Sequence, residues 1–180
     1  MKAGEAGIKK SYSGIPPGML RFLVRGIIIF VAWRLLYELV LRPSGSPDHE
    51  LTRFLLKCTY HVLTLFYTGL SIDGYSLYIN KEPIITFTTG CNGLELLVLY
   101  LSFLICYPSP FRRWFSFAVA GIIIINVLNI ARCAALASWF YHRLPLWDFM
   151  HHYIFKIVIY GVNFYLWVLY CRANAKKKTA

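Results

Sequence analysis

Apolar runs near the length that a bilayer requires limit how this chain can fold more than any other feature. They cover residues 19–41, 51–70, 94–107, 114–141 and about 151–171, separated by prolines, glycines and charged residues. A hydrocarbon core about 30 Å thick is crossed by about 20 helical residues. With 58% hydrophobic residues in a chain of 180, the blocks read as membrane helices rather than as the core of a soluble domain. The expected fold is an all-α integral membrane protein of about five transmembrane helices. It forms a single transmembrane domain whose core is about 51–171, between a polar segment 1–18 and a basic cytoplasmic tail 172–180.

The segments between the blocks refine that picture. Residues 71–89 alternate differently from the helices, with extended runs at 75–80 and 83–87 around a turn at Lys81-Glu82. An open hairpin leaves backbone groups unpaired in hydrocarbon, so this hairpin-like segment belongs at the membrane surface, outside the cytoplasm and ahead of the third helix. Arg53, Lys57 and His61 recur every four residues and read as the snorkelling cytoplasmic end of the second helix. Arg34 and Glu38, four apart, are placed to pair. No small-residue cleavage site follows the first block, which predicts no removed signal peptide.

The net charge of +11 comes from basic residues at the ends of the blocks, without the aromatic interleaving of a nucleic-acid surface. They set topology and meet anionic headgroups, with the bilayer itself as partner and no nucleic acid. Arg112-Arg113 and Lys176-Lys177-Lys178 share one side if each of the last three blocks crosses once, which makes that side cytoplasmic. Counting back through five crossings leaves the basic N-terminus outside, against the charge rule. A first block lying along the interface as an amphipathic helix is the alternative.

Five cysteines, an odd count without CxxC spacing, exclude a disulfide framework and a paired-cysteine zinc site. No metal and no cofactor are expected. Cys91 differs from Cys58, Cys106, Cys133 and Cys171, which read as packing residues. It lies in Thr88-Thr89-Gly90-Cys91-Asn92-Gly93, between the polar segment and the third block. A thiol at a helix N-terminus is favoured as the thiolate. Gly90 and Gly93 permit close approach of a substrate backbone, and the N–H groups near Asn92 and Gly93 are candidate oxyanion donors. The same leaflet receives Arg132, an expensive charge within an apolar run, and His151-His152 at the start of the last block. A fourth helix continuing to Tyr141 leaves Arg132 about 13 Å below its end, so the side chain reaches upward or the helix breaks early.

The order of Cys91-Asn92-Gly93, then Asn129-Ile130-Ala131-Arg132, then His151-His152-Tyr153 resembles the exosortase and archaeosortase family of membrane transpeptidases, over roughly Tyr75 to Leu169. The resemblance implies a cysteine protease or transpeptidase in the cytoplasmic membrane with its site facing outward. Its substrates are exported proteins that end in a short motif, a transmembrane helix and a basic tail. Cys91 is the implied nucleophile, His151 the base and acid, and Arg132 the group that holds the oxyanion or substrate. His152 is the alternative imidazole; Asn129, Asn92, Gly93 and Asp148 are supporting residues, Asp148 as the group orienting the histidine. The competing readings are a non-enzymatic membrane subunit of an export or polysaccharide assembly complex and a thiol oxidoreductase. The latter needs a second redox cysteine near Cys91, and Cys106 lies about four turns away.

Overall fold

A computed structural model describes residues 17–88 and 92–175, apart from the side chains of Pro17, Asp148 and His152. The helices are α1 (Pro17–Leu36), a short α2 (Arg42–Ser44), α3 (Asp48–Leu63), α4 (Leu94–Cys106), α5 (Phe111–Tyr141), the single turn α6 (Trp147–Phe149) and α7 (Phe155–Ala175). Strands β1 (Leu70–Asp73), β2 (Ser76–Ile79) and β3 (Glu82–Thr86) lie between α3 and α4, and π-helical segments occupy Tyr37–Leu41 and Met150–Ile154.

The apolar residues assemble into two clusters stacked along α5. In the lower one, Tyr100 and Leu104 of α4, Ala118 and Ile125 of α5, and Ile159 and Tyr170 of α7 form a three-helix core. Tyr100 donates its hydroxyl to the Phe117 carbonyl at 2.8 Å, and Tyr170 donates to that of Leu104 at 3.3 Å. Both hydroxyls, otherwise stranded in an apolar core, thereby find acceptors. Gly121 makes room for this packing, because a Cβ there would overlap the Tyr100 ring. At the lower end Arg113 and Ser109 both donate to Oδ1 of Asn174, each at 2.9 Å, closing the start of α5 against the end of α7.

The upper cluster joins Leu55, Leu56 and Leu63 of α3, Leu77, Ile79 and Ile84 of the sheet, and Cys133, Ala134 and Ala137 of α5. At about 1.5 Å per residue, the 31 residues of α5 run some 46 Å, enough for both clusters. The upper end is a cap of α3 and sheet around the last turns of α5; the lower, or tail, end carries Arg112, Arg113 and Arg172.

Where a second spanning helix was expected over 51–70, helix α3 covers 16 residues, Asp48–Leu63. Its buried residues Thr52, Leu55, Leu56, Thr59 and Leu63 follow a helical period. Arg53, Lys57 and His61 form the exposed opposite face, with the Arg53 guanidinium 5.8 Å from the Tyr75 ring centroid. This stripe is the exposed polar side of an amphipathic helix whose apolar side packs on the sheet and α5. The same packing places α1. Phe22 meets Phe103 with ring centroids 5.4 Å apart and Arg34 approaches Glu95 at 3.8 Å, so α1 runs antiparallel to α4, from the tail end to the cap. Arg34 also pairs with Glu38, at 3.5 Å. Among the described residues only Phe111–Tyr141 is both long and apolar enough to cross a membrane by length and composition. The charges of α1 and the polar residues of α7 dilute their apolar runs.

The polar interval is a three-stranded antiparallel sheet in the order β1-β2-β3, so the chain is mostly rather than wholly α-helical. The turn sits one residue before the expected Lys81-Glu82, at Asn80 and Lys81, whose φ values are 52° and 69°. Positive φ at both central residues is the hairpin turn whose twist matches the strands it joins. Glu82 then pairs with Ile79 as the first residue of β3.

Gly121→Val puts a branched side chain where the Tyr100 ring lies, and overpacking of this kind costs about 1 to 3 kcal/mol. The purified protein in detergent should therefore unfold at a lower temperature, and more so than with Tyr100→Phe, which removes one hydroxyl. Equal midpoints for Gly121→Val and the parent would show that α4 and α5 are not packed this closely.

Candidate functional site

The segment after Cys91 is fixed by buried polar contacts from two other parts of the chain. Asn92 is 3% exposed, and each of its polar groups on the side chain is used. Its Oδ1 accepts the N–H of Leu94 at 2.9 Å, which supplies one orphan donor at the start of α4 with an acceptor. Its Nδ2 donates to Oδ1 of Asp48 at 2.6 Å and, more weakly, to the Asp48 carbonyl at 3.4 Å. The Asn92 main-chain carbonyl in turn accepts from Nδ2 of Asn129 on α5 at 2.9 Å. Asp48 uses its other oxygen to accept the Tyr37 hydroxyl at 2.8 Å. That bond holds the Tyr37 pKa above its ordinary value, so the phenol stays protonated as the donor.

Gly93 completes the turn with φ of 78°, and a Cβ on it would come within 2.9 Å of the Asn129 amide nitrogen. Only glycine meets both conditions without strain, since the left-handed region is costly for residues with a Cβ.

These groups line a cavity of about 200 Å³ between α4, α5, α7 and the segment after α1, with Tyr37, Asp48, Asn92, Arg132 and Lys156 among the residues around it. Asn129 and Arg132 reach it from adjacent turns of one face of α5. The depth of Arg132 below the end of its helix is thereby explained: α5 continues unbroken to Tyr141, and its turns above Arg132 are sheathed by the cap instead of extending beyond the surface. Glu95 also borders the cavity, and its ion-pair partner is Arg34. Both are exposed enough that the pair contributes little.

The expected site residues divide accordingly. The structure brings Asn92, Gly93, Asn129 and Arg132 together. His151 lies in the second π-helical segment, where its ring stacks on Trp147 with centroids 5.2 Å apart and an angle of 18°. It is not among the described residues lining the cavity. Cys91 and the side chains of Asp148 and His152 lie outside the described residues. Residues not anticipated from sequence are Tyr37, Asp48 and Lys156. Asp48 directly follows Pro47 at the start of α3, where nothing local marks it, whereas Lys156, four residues after His152, was legible as a charge at the head of an apolar run. π-Helical turns recur near functional sites, and here one carries Tyr37 and the other both histidines. Among the described residues, no group of three or more His, Cys, Asp or Glu side chains could hold a metal ion.

A bundle with broad exposed apolar faces on α1, α5 and α7 that encloses a polar, arginine-lined cavity is built as a membrane protein with a buried site. Residues 16–169 match the family described as Transmembrane exosortase (Exosortase_EpsH). The chain belongs to that family. Comparison with curated proteins and with solved structures gives no match.

Gly93→Ala should destabilise the protein by about 1 to 2 kcal/mol through the left-handed backbone alone, and further through collision with Asn129. In an Asn129→Ala background the collision term disappears, so the added cost of Gly93→Ala shrinks. Strict additivity of the two substitutions in thermal unfolding would contradict the close approach.

Proposed function

We propose that this exosortase-family protein is a cysteine transpeptidase or peptidase that cleaves the C-terminal sorting signals of exported proteins. The observation that supports it best is the rigid Asn92-Gly93 turn, next in sequence to Cys91, at the rim of a cavity to which α5 delivers Arg132. Cysteine paired with histidine is a sufficient nucleophile and base, and a fixed cation in a site of low dielectric stabilises a developing oxyanion.

In this reading the Cys91 thiol gives its proton to His151, and the sulfur attacks the carbonyl carbon of the scissile peptide. Arg132 holds the resulting oxyanion. Collapse breaks the C–N bond, and His151 returns the proton to the leaving amine, which departs with the membrane helix and basic tail of the substrate. The thioester is then attacked by an acceptor amine or by water, the C–S bond breaks, and Cys91 regains a proton. Asp148 orients His151, and His152 is the alternative imidazole.

The proposed topology has four crossings, α1, α4, α5 and α7, with α3 and the sheet as an extracytoplasmic cap on the cytoplasmic membrane, all within one domain. The tail end then holds Arg112, Arg113, Arg172 and the terminal lysines, and α1 begins there with Arg21 and Arg25. Basic residues gather on the cytoplasmic side, as the charge rule requires.

The direct test is to coexpress the protein with a tagged exported protein from the same genome that ends in a short motif, an apolar helix and a basic tail. Cys91→Ala, Arg132→Ala and His151→Ala should each leave the tagged protein uncleaved, by roughly 10³-fold or more in rate for the nucleophile. Cleavage by Cys91→Ala at the parent rate would rule the mechanism out. The topology has its own check. On intact cells a membrane-impermeant maleimide should label Cys91 and the part-exposed Cys58 on α3, and spare Cys171. Labelling of Cys171 with Cys58 protected would put the cap in the cytoplasm.

A further inference from the structure

Asp48 takes no part in the bond-making above, yet its carboxylate joins the turn after Cys91 to two distant pieces of the chain. It is 4% exposed and lies at the start of α3, 44 residues before Asn92. A carboxylate in the first turn of a helix ordinarily serves the free N–H groups there. Asp48 makes no such use of its side chain. The N-cap position is Pro47, without a side-chain cap bond, and the two carboxylate oxygens face Tyr37 and Asn92 instead. The Asn92 contact, at 2.6 Å, is short for a donor nitrogen.

We propose that Asp48 is a positioning residue for the nucleophile. It fixes Asn92, and through the peptide bond between residues 91 and 92 it sets where the Cys91 thiol stands relative to the Arg132 cavity. Asn129 holds the carbonyl of Asn92, so side chain and main chain are pinned from opposite sides, by α3 and by α5. Tyr37 keeps the carboxylate from turning away. The inference rests on the reading of Cys91 as nucleophile. Its physical content is that a displacement of about 1 Å at a reacting atom costs up to 10²-fold in rate, and the backbone next to Cys91 has one arrangement only while these bonds stand.

The test reads Cys91 itself, in the full-length chain in membrane vesicles with Cys58→Ser in the background. N-ethylmaleimide labelling of Cys91, followed by peptide mass, is measured as a function of pH. The reading of Cys91 as nucleophile predicts a labelling midpoint in the parent below the ordinary thiol value of about 8.5. Removing an anion would by itself lower that midpoint, whereas displacing Cys91 from the Arg132 cavity raises it, so the positioning role predicts a higher midpoint in Asp48→Ala and labelling at neutral pH slowed by roughly tenfold. Asn92→Asp, which opposes two carboxylates, should do the same. The double exchange Asp48→Asn with Asn92→Asp reverses the direction of the bond but keeps its geometry, and should recover most of the parent profile. Tyr100→Phe is the control for stability, lowering the unfolding temperature without moving the profile.

An unmoved profile in Asp48→Ala, or a double exchange no better than Asn92→Asp alone, overturns the positioning role. Should Asp48→Ala not accumulate, the comparison of Asn92→Asp with the double exchange decides the question. A parent midpoint already at the ordinary thiol value is a different result: it overturns the activated Cys91, and with it any need for a residue to position it.

Discussion

A buried amide facing a buried carboxylate is the contact on which the arrangement of this protein depends. Without Asn92, Asp48 would be a charge withdrawn from water, and without Asp48 the Asn92 amide would have an unmatched donor. Each is tolerable at 3% and 4% exposure only because the other is there. Asn129 and Tyr37 complete the set, so that four elements far apart in sequence meet at one turn. Apolar packing alone would allow α4 to slide along α5. Directional bonds at the head of α4 fix its height.

The two apolar clusters make sense in this light. The lower one is a helix bundle stitched by the Tyr100 and Tyr170 hydroxyls and by Asn174; the upper one is a small α/β layer with its own core. Helix α5 belongs to both, and the polar turn lies where they meet. A site at such a junction combines the low dielectric of a packed bundle with a covering layer that limits water. In the proposed reaction those conditions make a fixed cation such as Arg132 effective on developing charge.

How much of this was legible in the sequence depended on whether the signal was local. The runs that became α4, α5 and α7 were visible as apolar blocks, and Cys91-Asn92-Gly93, Asn129 and Arg132 stood out as polar groups within or between them. Helix α3 was visible too, but in the wrong class. Thr52, Leu55, Leu56, Thr59 and Leu63 alternate at helical spacing with Arg53, Lys57 and His61, which is the pattern of one apolar face rather than of a helix apolar all round. Length outweighed period in that reading, and the count of crossings rested on it. Strand β1 was lost for a similar reason, because Leu70 was absorbed into the apolar block before it. Asp48 could not have been found: its role is created by a contact across 44 residues, and no local pattern encodes such a partner.

Treating α3 as part of a cap rather than as a crossing also settles a conflict that composition had raised. With five crossings, Arg21 and Arg25 fall on the side opposite to Arg112, Arg113 and Arg172, and the charge rule fails at the N-terminus. With α1 antiparallel to α4, as the Phe22–Phe103 and Arg34–Glu95 contacts require, the proposed four crossings bring these arginines to one end. The charges left at the cap end then stand out for a different reason. In the proposed topology Arg132 and Lys156 are cations kept on the side where the rule disfavours them, both at the cavity. Topology gives no account of their placement, whereas the proposed oxyanion site does.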